Sequence, residues 1–161
     1  MDKHHCISFS SRVNNLSSSA FELVHSDVCG PCRVPSFKGF RYFLIFVDDI
    51  SRMTLLYLLK ERSEVSNVIE LFFNEIKNQF STSIHVLRTD NVLEYVKIMC
   101  SFSVLRIGSF TKPLVITRHN RMRLLNENIH ILDLARILVI HMHVPKYLWS
   151  DAVLSACHLI N

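Results

Sequence analysis

Phe21-Glu22-Leu23-Val24-His25-Ser26-Asp27-Val28 is an apolar, β-rich run, and Gly30-Pro31 behind it reads as a strand stop. Downstream, Arg41-Tyr42-Phe43-Leu44-Ile45-Phe46-Val47 reads as a buried strand. Asp48-Asp49 supplies a turn, and Arg52 to Leu59 returns as the hairpin partner. Three antiparallel strands in succession are therefore expected. Ser63 has the chemistry of a helix N-cap, with Glu64 in the first turn, where a carboxylate suits the helix dipole. Val65, Val68, Ile69, Phe72, Ile76 and Phe80 recur at helical spacing, which predicts an amphipathic helix. Ser83 to Arg88 is a further short strand, ending at Thr89-Asp90-Asn91. The order is βββαβ.

Outward from this block the signals change. Residues 1–19 are polar and serine-rich and read as a lead-in or linker, leaving 20–161 as one domain. Beyond Val96, Ser101 to Thr117 holds strand-like pieces without clean alternation, although Leu114-Val115-Ile116 passes as a strand and Met122 to Asn128 contains no helix breaker. Helical spacing returns from Leu124 to Met142. It returns again from Tyr147 to Ile160, after Val144-Pro145. The pattern is still running at Asn161, so the domain is expected to be truncated at its C-terminal side.

Composition narrows the class. Apolar residues make up 49% of the 161 and charged residues 20%, which fits a globular domain rather than a disordered one. No apolar run approaches the ~20 residues of a membrane span, and no secretory leader is visible, so an intracellular protein without membrane partners is expected. The net charge of +4 is compatible with nucleic acid without requiring it. Five scattered cysteines argue against a disulfide framework. Cys29-Gly30-Pro31-Cys32 has no second ligand pair for zinc and lies in a turn rather than at a helix start, so both thiols read as bystanders.

The chemistry-bearing candidates are Asp27, near the end of the first strand, and Asp90, at the end of the fourth. If those strands are neighbours, two carboxylates enter one groove and could hold divalent ions that promote phosphoryl transfer. Aspartates also favour strand ends for purely structural reasons.

These residues carry a resemblance. His25-Ser26-Asp27-Val28, Gly39 to Phe43, Phe46-Val47-Asp48-Asp49, Arg52-Met53-Thr54, Leu58 to Glu64 and Leu87-Arg88-Thr89-Asp90-Asn91 occur in an order that resembles the integrase core of copia-type retrotransposon Pol polyproteins. Leu134-Ala135-Arg136, Val144 to Trp149 and His158 to Asn161 are similar to the segment that follows the catalytic site there. The resemblance implies an RNase H-like three-layer α/β fold with a mixed central sheet. It also implies Mg²⁺ or Mn²⁺ as cofactor, the ends of an element and target DNA as partners, DNA integration by 3′-hydroxyl strand transfer, homo-oligomers, and a nuclear site of action.

The family's triad is D-D-E. Asp27 matches the first carboxylate and Asp90 the second, so both are the expected metal ligands. The third falls at position 126, where Asn126 stands. Glu127 is the remaining candidate, one residue late and rotated by about 100° on a helix.

The family sequence before the glutamate resembles I-H-Q-T-S-C-P-H-T-P-Q-Q-N-G-V-A-E-R-K. Read two bases on, permitted codons for Gly108 to Val115 give I-I-H-Q-T-S-C, and those for Leu125 to Asn128 give E-R-K. A frameshift spanning roughly residues 97–129 is the resulting hypothesis, decided by the coding DNA. It predicts an inactive copy with a disrupted fifth strand and catalytic helix. The alternatives are a non-catalytic nucleic-acid-binding remnant, or a relic that never folds uniquely. Lys60, Arg62, Lys77, Arg88 and Lys97 are candidates for a DNA-facing surface, and Trp149 is expected in the core rather than stacked on a base.

Overall fold

The computed structural model describes residues 19–89, 115–118 and 122–161, with side chains described at 19–89, 116 and 130–161. Strands β1 (Leu23–Cys29), β2 (Tyr42–Asp48) and β3 (Thr54–Leu59) form an antiparallel meander, with Asp27 opposite Ile45 and Phe46 opposite Leu55. Helix α1 (Val65–Phe80) then crosses over to β4 (Val86–Thr89), which lies parallel to β1. Strand β5 (Val115–Arg118) adds in parallel to β4, giving the order β3-β2-β1-β4-β5. Helices α2 (Met122–His141) and α3 (Trp149–Ile160) complete the chain, with a 3₁₀ turn at Lys146–Leu148 between them.

The sheet is buried on both faces, and period-two alternation divides it between two cores. Val24, Leu44, Phe46, Leu59 and Leu87 point to the side covered by Val65, Ile69, Phe72 and Ile76 of α1. There the rings of Phe46 and Phe72 stack 3.8 Å apart. Phe43, Ile45 and Val47 point the other way, onto Ile131 and Ala135 of α2 and Ala152, Val153 and Ala156 of α3. The predicted order βββαβ and the three-layer α/β architecture are both present.

Local readings are corrected in three places. Ser63 is not the cap of α1: it lies inside a 3₁₀ turn (Arg62–Glu64), and Glu64 instead reaches back to accept the Lys60 N–H at 3.0 Å. The last helix starts at Trp149 rather than Tyr147, because the chain after Pro145 first makes the tighter turn. Finally, the fifth strand and the following helix both form, so the expected disruption does not extend to these elements. Residues 115–118 are apolar and β-branched enough to pair, and nothing from Met122 on breaks a helix.

Candidate functional site

Asp27 is the fifth residue of β1 and is half-buried. Val24 and Val28 face α1, so alternation turns His25, Asp27 and Cys29 toward the α2 and α3 side. The Asp27 carboxylate is held locally: Oδ1 accepts the Val28 N–H at 2.9 Å and Oδ2 accepts the Cys29 thiol at 3.8 Å. The pairing of β1 with β4 runs from Leu23–Val86 to Ser26–Thr89, one residue short of Asp27 on one strand and of position 90 on the other. Asp90 lies outside the described residues, as does Lys97. Position 127 belongs to α2, and its side chain is likewise outside them.

Two residues behind Asp27, His25 is buried, and its Nε2 meets Asp49 Oδ1 at 2.9 Å. Burial lowers the imidazole pKa below 6.5 and outweighs the opposing pull of Asp49, with Arg88 and Arg52 adding to the lowering. Nothing in the sequence spacing announced this pair, since it joins a strand to a turn 24 residues away.

Asp48 and Asp49 were expected to make the hairpin turn, and they divide the work. Asp48 is the last residue of β2 and is buried. Its Oδ2 accepts the Ser51 N–H at 2.8 Å, and its Oδ1 accepts the Phe21 N–H at 2.7 Å. Asp49 opens the turn itself and anchors His25.

The two thiols of the CxxC stretch are free, and their chemistry is that of protonated groups. Burial, reinforced by the Asp27 charge, pushes Cys29 up to about 12, and burial also raises Cys32. Among the described residues no group of three or more His, Cys, Asp or Glu is arranged to hold a metal.

The basic candidates do not converge. Arg88 pairs in register with His25 and so shares the face of Asp27, whereas Lys77 rides on α1 across the sheet. Lys60 and Arg62 are exposed at the start of that crossover. Trp149 packs against the α2–α3 core, 6.2 Å from the ring of Phe43, and donates its indole N–H to Val34 O at 2.9 Å. The expectation that it serves packing fits that position.

Among the described residues no helix is long and apolar enough to cross a membrane.

A family model described as the integrase core domain matches residues 17–123. The retrovirus-related Pol polyprotein from transposon RE2 of Arabidopsis thaliana is 34% identical over 161 residues, covering 100% of this chain and 11% of the relative. The corresponding polyprotein from transposon TNT 1-94 of Nicotiana tabacum is 31% identical, covering 99% and 12%. The chain thus spans about a tenth of the length of these curated relatives. Among solved structures, the HTLV-2 integrase catalytic core domain in complex with magnesium, in its dimeric form, superimposes with a TM-score of 0.57 at 14% identity. That match covers 88% of this chain and 87% of the other. A simian T-cell lymphotropic virus intasome in complex with PP2A regulatory subunit B56 gamma gives 0.56 at 14% identity, covering 88% and 48%. At such identities the likeness speaks for the RNase H-like integrase fold alone. Together, the matching family model and the order of sequence motifs show that this chain belongs to the integrase core domain family, on the copia-type retrotransposon side.

Proposed function

We propose that this chain is the core segment of a retrotransposon integrase whose relatives join a 3′-hydroxyl to target DNA, and that this copy does not carry out that step. Asp27 and Asp90 are the carboxylates that would hold Mg²⁺ or Mn²⁺. The observation that carries the reading is the register of the parallel pair β1–β4. Ser26 partners Thr89, and the residue that follows each of them in sequence is an aspartate. Covalent geometry keeps the Cα of Asp90 within about 3.8 Å of that of Thr89.

The donors suit the ion: hard carboxylate oxygens are what Mg²⁺ takes, and Asp27 is only half-buried, leaving room for water or phosphate. When bound, such ions activate the attacking oxygen and stabilise the leaving one. The chain's own part is to aim Asp27 from a rigid central strand, with the Val28 N–H orienting its carboxylate.

The missing function follows from position 126. Asn126 offers a neutral amide where the family carries a charged ligand, and Glu127 is rotated by about 100° from it. The shifted reading frame supports an accidental loss. Beyond the I-I-H-Q-T-S-C reading, permitted codons for Thr117 to Met122, taken two bases on, give T-P-Q-Q-N, again matching the family motif.

Strand-transfer assays in Mn²⁺ and in Mg²⁺ test the proposal. The expected result is no product from the parent above that from Asp90→Asn, and product from Asn126→Glu that disappears when Asp27→Asn is added. Product from the parent that requires Asp90 would overturn the inactivity and point to Glu127 as the working third ligand. Metal binding is a separate readout: loss of even an outer partner of a metal ligand costs about 10–100-fold in affinity, so Asp27→Asn should weaken Mn²⁺ binding at least tenfold.

A further inference from the structure

The loop between β1 and β2 leaves the sheet three residues after Asp27 and holds an aromatic side chain out of the protein. Phe37 is 78% exposed, although the turn beneath it is tightly made. Ser36 is buried and organises that turn: its N–H donates to Phe40 O, its Oγ accepts the Phe40 N–H, and its carbonyl accepts the Gly39 N–H. Gly39, at φ +84°, provides the left-handed residue that closes the turn. Phe37 is then tied to the 3₁₀ turn before α3 by a hydrogen bond from its N–H to Tyr147 O at 2.8 Å, and the two rings lie 6.3 Å apart. Tyr147 is itself 46% exposed. Two aromatic rings are thus held side by side at the surface on an ordered turn.

The surrounding charge identifies the kind of partner. Lys38 and Lys146 directly adjoin the two aromatics in sequence, and both are exposed. Arg33 and Arg41 are also exposed and are brought together by the Cys32 N–H to Arg41 O bond of 2.7 Å. Neither segment carries a carboxylate over long stretches: there is no Asp or Glu from Val28 to Val47 or from Leu134 to Ser150. Asp27 and the exposed Asp151 lie just beyond these stretches, and an aromatic pair flanked by four exposed cations suits a polyanion that carries flat rings.

We propose that Phe37 and Tyr147 form a stacking platform for unpaired DNA bases, with Arg33, Lys38, Arg41 and Lys146 drawing in the backbone. Stacking needs a base whose face is free, which an intact duplex does not present, and aromatic faces set in a basic groove are the general means of holding single strands. Because the turn is already ordered, binding sacrifices little conformational freedom. The platform belongs to the loop that leaves β1 at its Asp27 end. This inference rests on the DNA-handling reading above and specifies which form of DNA is held, and where.

The test uses the full chain with a single-stranded oligonucleotide containing 2-aminopurine and with a blunt duplex of the same sequence. The parent is expected to bind the single strand and quench the 2-aminopurine emission. Phe37→Ala should weaken single-strand binding about five- to hundred-fold and remove the quenching, with duplex binding and the melting temperature unchanged. Phe37→Trp should keep both signals, and Tyr147→Ala should reproduce part of the loss. Equal single-strand affinity in parent and Phe37→Ala, or binding by the parent to duplex alone, would overturn the platform and leave the integrase reading standing. Failure of the parent to bind either DNA would overturn both. A change in self-association on Phe37→Ala, with 2-aminopurine unaffected, would assign the rings to a contact between copies and overturn the proposal.

Discussion

The side-chain amide of Asn161 hydrogen-bonds to both backbone groups of Thr54. Asn161 Oδ1 accepts the Thr54 N–H at 2.7 Å, and Asn161 Nδ2 donates to Thr54 O at 2.7 Å. The Cys157 thiol donates to the same carbonyl at 3.5 Å. Strand β3 is an edge of the sheet, and its outward backbone groups would otherwise be left to water or to another chain. One amide at the end of α3 thus acts as a strand of a single residue and fastens that helix to the sheet.

Replacing Asn161 with Ala removes both bonds. With a typical hydrogen bond contributing about 1 kcal/mol net, Asn161→Ala should destabilise the fold by about 1–2 kcal/mol in urea unfolding. The Thr54 amide should also exchange faster with deuterium, and an unchanged exchange rate would contradict the role given to this amide.

The loop that carries Phe37 depends on how β1 ends. Gly30 has φ +126°, and a Cβ there would lie 2.7 Å from Arg41 O and 3.1 Å from Tyr42 Cα, both of them backbone atoms. Gly39 also has positive φ, but a Cβ there would meet nothing within 4 Å. Gly30→Ala should therefore cost about 2 kcal/mol or more, whereas Gly39→Ala should cost only about 1–2 kcal/mol of backbone strain. Equal losses in paired urea melts would count against the close approach at Gly30.

His25 makes stability depend on pH. Its folded pKa lies below 6.5, chiefly because burial disfavours the imidazolium. The unfolded chain therefore binds the proton more readily, so this contribution is fully present above 6.5 and is lost as pH falls toward the folded value. Melting temperatures of the parent should drop between about pH 7.5 and about pH 5, and the drop should be shallower in His25→Gln. Parallel pH profiles in the two proteins would rule out His25 as the source.

The amino-acid sequence by itself determined the first four strands and their order along the chain, because burial on two faces leaves a readable imprint, whereas the fifth was expected to be disrupted. Phe43, Ile45 and Val47 alternate with Leu44 and Phe46, and Val65, Ile69, Phe72 and Ile76 form a single helical stripe. It also singled out Asp27, since a carboxylate near the end of an apolar strand breaks the pattern around it. One short-range preference gave way to another at Ser63, where the tight turn into α1 left the hydroxyl bonded to Glu61 and gave the backbone contact to Glu64.

Only the tertiary structure decided which face Asp27 occupies, that His25 meets Asp49, that Asn161 completes the edge of β3, and that Phe37 and Tyr147 stand together. The last three are contacts between side chains or backbone groups far apart in sequence, two of them separated by more than a hundred residues. Hydrophobic periodicity records whether a residue is buried, a property of its own surroundings. Which partner it meets is set by how whole elements pack, and no local pattern contains that information.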